Sequence, residues 1–144
     1  SVGALRYSGY CAALKDAGVP VDCDLVVQTG GFSMSSAYDE TLALLGRRPD
    51  VSAIFSISDS MAVAAMKAIS DLGRRVPEDV SVIAIDGIES SLYTVPTLTT
   101  LCQPQQTFGK TAVQVLMGVL NDGAQNEHLR LETTLRVGGT VGSR

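Results

Sequence analysis

The sequence predicts an α/β fold, a parallel sheet with helices on both faces, on three observations. Segments with helical spacing alternate with short apolar runs along most of the chain. One of those runs, residues 80–85, is almost continuously apolar, as a strand covered on both faces is. The 144 residues are 45% hydrophobic and 18% charged, enough apolar mass for a core and too little charge for disorder. With only 5% aromatic residues, that core falls to Val, Leu, Ile, Ala and Met.

The elements follow in order. Residues 8–17 place Tyr10, Ala13, Leu14 and Ala17 on one helical face, and Gly18 is a natural stop. Residues 25–27, Leu-Val-Val, read as a short buried strand, followed by a Gly30-Gly31-Phe32 loop. Ser33 is an N-cap candidate for a helix to about Leu45, with Ala37, Thr41, Leu44 and Leu45 inward. Residues 52–57 form the next strand and run into Ser58-Asp59-Ser60, an N-cap cluster. The helix over 60–72 is apolar almost all round: Met61, Ala65, Ile69 and Leu72 on one side, Val63 and Met66 on another. Such a helix needs two apolar neighbours, the sheet and a second surface that a partner subunit could supply. Gly73 ends it. After the 80–85 strand come Asp86-Gly87, a loop with Ser90, Ser91, Tyr93 and Pro96, and a strand over 98–102. Pro104 opens a long helix to about Leu120 that Asn121-Asp122-Gly123 stops. Its wide apolar face (Phe108, Ala112, Val115, Leu116, Val119, Leu120) suits a sheet that this chain lacks, so it is expected to be exposed or to dock on another copy. Residues 129–137 alternate apolar and polar, as a half-exposed strand does, and the tail from Gly138 reads as loop.

Composition narrows the functional classes. A net charge of −4 repels phosphates, so nucleic-acid binding would need a separate basic module. No apolar run approaches the roughly 18 residues of a membrane span. Cys11, Cys23 and Cys102 are odd in number and lack CxxC spacing, which fits reduced thiols in a cytoplasmic protein. His128 is the single histidine, in a polar loop-like stretch; without a Cys or His cluster no metal site or other cofactor is expected.

Open parallel sheets bind ligands beyond the carboxyl ends of their strands. Phe32, the pair Ser58 and Asp59, and Asp86 follow three such ends. Arg6 reads as lying just before the first helix, a position the helix dipole disfavours for a cation. One Arg, two carboxylates and an aromatic ring suit a polyhydroxylated or polar ring-shaped ligand: carboxylates accept from hydroxyls, Arg donates a fork, and a ring packs on C–H surface. No nucleophile with an adjacent base accompanies them, so binding without chemistry is the simpler expectation. A small α/β enzyme using Asp59 or Asp86 as acid, base or magnesium ligand is the alternative from another class.

Several stretches then resemble one family. RRVPEDVSVIAID at residues 74–86 is similar to the "RVPxDVSVxGxD" signature of LacI/GalR-type transcriptional regulators. PTLTTLCQP at 96–104 resembles their "PxLTTvxQP", Ala53-Ile54-Phe55 through Ser58-Asp59-Ser60-Met61-Ala62 their "aiFaxxDxmAxga", and Arg6-Tyr7-Ser8-Gly9-Tyr10 their "RxxGf". The resemblance implies a Rossmann-like fold of the periplasmic-binding-protein type, mainly its C-terminal lobe: residues 1–102 as that lobe, 103–122 as a helix crossing to the N-terminal lobe, and 123–144 as a return strand and tail. The family's helix-turn-helix and the first part of its N-terminal lobe have no counterpart here. Arg6, Phe32 and Asp86 match effector contacts, and Ser58 and Asp59 match the pair near the pocket, where Ser58 departs from the usual Asn. Met61, Val63, Met66, Ser91 and Tyr93 match the dimer interface. The implied protein is a cytoplasmic, homodimeric repressor that senses a small molecule such as a sugar and reaches operator DNA through a headpiece outside this chain. A periplasmic sugar-binding protein of a transporter is the alternative within the same fold, and the two regulator-like stretches favour the repressor.

Overall fold

The computed structural model describes residues 1–122 and 129–143, so Gly123 and His128 lie outside the described residues. Among the described residues there are four α-helices, α1 (Val2–Asp16), α2 (Met34–Arg47), α3 (Asp59–Asp71) and α4 (Gln105–Asp122). Four strands, β1 (Ala53–Phe55), β2 (Ser81–Asp86), β3 (Thr99–Cys102) and β4 (Thr134–Arg136), form one sheet in that order. The first three are mutually parallel, and β4 adds to β3 antiparallel. Among the described residues no helix is long and apolar enough to cross a membrane.

Helix boundaries follow local chemistry. Ser33 and Ser58 cap α2 and α3, accepting from the amides of Ser36 and Met61 at 3.3 Å each. Gly18 and Gly73 follow their helices with φ of +70°, the left-handed stop that a side chain would strain. The first helix begins six residues earlier than expected, because Ser1 caps it by accepting from Ala4. Arg6 therefore lies inside α1 rather than before it.

The core sits on one sheet face. Ala62, Met66 and Ile69 of α3 pack on Val80, Val82, Ala84 and Leu98, with Leu45 of α2 closing the cluster. Strand alternation turns Ile54 toward this cluster and Phe55 to the opposite face, where Tyr10 of α1 stacks on it with ring centroids 6.1 Å apart. α1 has no fully buried residue, so it covers that face loosely.

Several sequence expectations need correction. The apolar run at 25–27 forms no strand. Cys23–Leu25 is a 3-10 helix and Val26 is extended, yet this segment joins no ladder and β1 remains an edge. Its anchorage runs to α2 instead: Arg48 bridges Asp22 at 2.8 Å and Asp50 at 2.9 Å, and Arg47 donates to the Asp24 carbonyl. Within this chain α2 supplies a second apolar neighbour of α3: Met61 and Ala64 pack with Ala37 and Tyr38. Leu72, expected inward, is 45% exposed because the helix ends one residue before it. The 129–137 strand contracts to three residues. The tail is no free loop. Thr140 is fully buried, its hydroxyl donating to the Val82 carbonyl at 2.6 Å and accepting from the Thr99 amide at 2.9 Å.

Candidate functional site

Three polar side chains meet beyond the carboxyl ends of β2 and β3. Asp86 ends β2 and Gln103 follows β3; Arg6 reaches them from the second turn of α1. Asp86 Oδ1 accepts from Arg6 at 3.0 Å and from the Gln103 side-chain amide at 2.7 Å. Arg6 also donates to the Ile57 carbonyl, two residues past β1. The Arg6 and Asp86 side chains are 15% and 26% exposed, so the pair is partly withdrawn from water without being sealed. Asp86 Oδ2 has no hydrogen-bond partner among the described residues and can accept from a hydroxyl or amine. Arg6 and Gln103 line a cleft of about 770 Å³ with Ile85, Phe108 and Ala112. The cleft thus joins a polar end to an apolar wall, as ligand sites commonly do.

The backbone at Asp86 is unusual. Its φ is +137°, and Gly87 follows at +74°. A Cβ on Gly87 would stand 2.6 Å from Cys102 Sγ and 2.7 Å from Cys102 Cα, so only glycine lets the turn close against β3. A non-glycine residue held at such an angle costs roughly 1–3 kcal/mol and persists only when its surroundings enforce it.

The other expected contacts are placed differently. Phe32 is 56% exposed and lines a second cleft of about 1030 Å³ with Tyr7, Tyr10, Cys23 and Phe55. The Tyr7 phenol is held above its ordinary pKa, first by its hydrogen bond with Cys11 one turn on. Ser58 and Asp59 are interior residues. Ser58 is spent on its cap, and Asp59, fully buried, accepts from the Ile88 amide at 2.9 Å, the Ser91 hydroxyl at 2.8 Å and the Thr100 hydroxyl. Neither presents an oxygen to a ligand. Of the expected interface residues, Met61, Met66 and Ser91 are buried within this chain, Val63 is half-buried, and Tyr93 is 77% exposed. Gln103 is the residue that sequence reasoning missed. It lies inside the quoted PTLTTLCQP stretch directly after a strand, and that position is the signal that could have found it.

An open, mostly parallel sheet with a charged pair beyond its strand ends has the layout in which α/β folds place ligand sites. The chain belongs to the periplasmic binding protein-like domain family, whose description matches residues 1–141. It is 36% identical over 130 residues to the HTH-type transcriptional regulator MalR of Clostridium butyricum, covering 90% of this chain and 38% of that regulator. The structure of the transcriptional regulator CelR–cellobiose complex superposes with a TM-score of 0.90 at 34% identity, over 96% of this chain and 42% of that one. The lac repressor dimer bound to operator and the anti-inducer ONPF gives 0.88 at 27% identity, over 99% and 49%. These relatives are LacI-type transcriptional regulators, and this chain spans less than half the length of each.

Proposed function

We propose that this chain is the effector-sensing part of a LacI-type transcriptional repressor. Its effector is a small polyhydroxylated molecule, a sugar or a close relative, bound against Arg6, Asp86 and Gln103. The observation that carries this reading is the Asp86 carboxylate, held by Arg6 and Gln103 on one oxygen while the other has no partner among the described residues. The cellobiose of the CelR structure supports the ligand class. Phe32, on the neighbouring cleft, would serve as a stacking face for the far side of the ligand. Residues 1–102 form the lobe in this reading, 103–122 cross to a second lobe, and operator contact belongs to a helix-turn-helix portion of the whole regulator. The MalR relative is HTH-type, and this chain spans 38% of it. A homodimer would use the half-buried Val63 and the exposed Tyr93.

Calorimetry of the whole regulator against cellobiose, maltose, lactose and a purine tests the reading. A sugar is expected to bind, and Asp86→Ala is expected to weaken it about tenfold to a hundredfold, since a hydrogen bond to a charged group contributes about 1.5–3 kcal/mol. Equal affinity in Asp86→Ala would remove the site assignment, and binding of the purine alone would replace the sugar.

A further inference from the structure

We infer that Arg136 is a positioning residue for Asp86, acting through Ser91 and Asp59 without touching the effector itself. The inference rests on the reading of Asp86 as an effector contact. Asp86 sits at a φ of +137°, so something on each side of it must hold the chain. On one side the hold is the sheet: Asp86 lies opposite Cys102 in register, and the Gln103 amide donates to its carbonyl at 3.1 Å. On the other side the tie to α3 is the bond from the Ile88 amide to Asp59 Oδ2 at 2.9 Å, two residues beyond Asp86.

That anchor is itself a buried carboxyl group. Asp59, Ser91 and Thr100 are all fully buried. An ionised carboxylate in such a place is costly unless hydrogen-bonded and balanced by a cation. Hydrogen bonds come from Ile88, Ser91 and Thr100. The cation reaches it through Ser91, whose hydroxyl oxygen accepts from Arg136 at 2.5 Å and lies 2.8 Å from Asp59 Oδ2, within reach to donate to it. Ser91 has a second acceptor within reach, the Ile88 carbonyl at 2.6 Å. One hydrogen serves two acceptors, so the charges on either side decide where it goes. Arg136 Nε is buried and has no hydrogen-bond partner among the described residues, which leaves the bond to Ser91 as the guanidinium's polar tie at this place. Remove Arg136 and the Ser91 hydroxyl loses the donor that sets it toward Asp59, so the Asp59 grip on Ile88 loosens. Arg136 lies on β4, the strand that follows α4 in the chain, whereas Asp86 ends β2. The relay therefore ties the segment returning from α4 to the residue that contacts the effector.

Amide hydrogen exchange followed by NMR on this chain, with no effector added, tests the relay. Arg136→Met is expected to speed exchange of the Ile88 amide about tenfold and to shift the Gly87 amide and Gln103 side-chain resonances. The Ser56 amide, which donates to Ile83 across the β1–β2 ladder, should keep its rate. Arg136→Lys, which keeps the charge, should recover part of the effect. If Arg136→Met does not fold, Ser91→Ala removes the middle of the relay and carries the same expectation. A folded variant with unchanged Ile88 exchange and unchanged Gly87 and Gln103 signals would overturn the inference. So would equal acceleration at Ile88 and Ser56, the mark of general loosening. Because no effector enters the experiment, failure of the sugar reading and failure of the relay are separate results.

Discussion

Asp59 and Asp86 are the same residue type at similar positions after a strand, and their environments give them opposite work. Asp59 heads a helix whose N-terminus lies under the 88–92 turn, and every donor around it is protein. Asp86 heads no helix; its partners Arg6 and Gln103 line the cleft, and one of its oxygens stays unpartnered among the described residues. Position beyond a strand end found both residues, and only the neighbours distinguish a structural carboxylate from a candidate contact. Gly87 makes that turn possible. Gly87→Ala is expected to lower stability by about 1–3 kcal/mol, because the methyl meets Cys102 at 2.6–2.7 Å from a backbone that already disfavours it. Urea titration of the variant measures it; stability within about 0.5 kcal/mol of wild type would show that β3 gives way easily.

At the scale of elements, helices were the more legible. Serine caps, glycine stops and the four inward residues of α2 are local features, and Ala37, Thr41, Leu44 and Leu45 are the buried ones. The 25–27 run failed for the complementary reason: a strand exists only through its partner, and this segment is tied to α2 by Arg47 and Arg48 instead. Arg48 holds the Asp22 and Asp50 carboxyls below the usual carboxylate range, each first through a hydrogen bond from its guanidinium. Groups whose folded pKa is depressed add stability above the unfolded pKa, about 3.9, and lose it as pH falls through the folded value. Arg48→Ala should therefore be less stable than wild type at neutral pH, with the difference shrinking below about pH 4 and in high salt. Thermal melts across pH 2.5–7 give the comparison; a constant difference would show that the arginine acts through packing of its stem.

The whole molecule is a sheet with one well-packed face and a helix that leaves it. Phe108, Leu116 and Leu120 of α4 are 65%, 56% and 68% exposed, as its wide apolar stripe led one to expect of a chain without the sheet to cover it. A contiguous apolar surface of this kind promotes association. This chain is expected to self-associate with concentration in sedimentation velocity, and Leu116→Glu with Leu120→Lys should reduce it. A monomer at all concentrations would mean that α4 folds back on its own chain.

Local chemistry written in the residues was sufficient for the existence of the helices and most of their caps and stops, the parallel character of the sheet, and the family signatures around Asp86. Those depend on neighbours a few positions apart, or on the two-residue and 3.6-residue periods of a strand and a helix. Packing between distant segments decided the rest. It buried Ser58, Asp59 and Ser91, filled the far side of α3 with α2, clasped the tail through Thr140, and joined Gln103 to Asp86. Each of those outcomes turns on which donor, acceptor or apolar face arrives from tens of residues away, and in a folded chain a side chain's role belongs to that arrival as much as to its own identity.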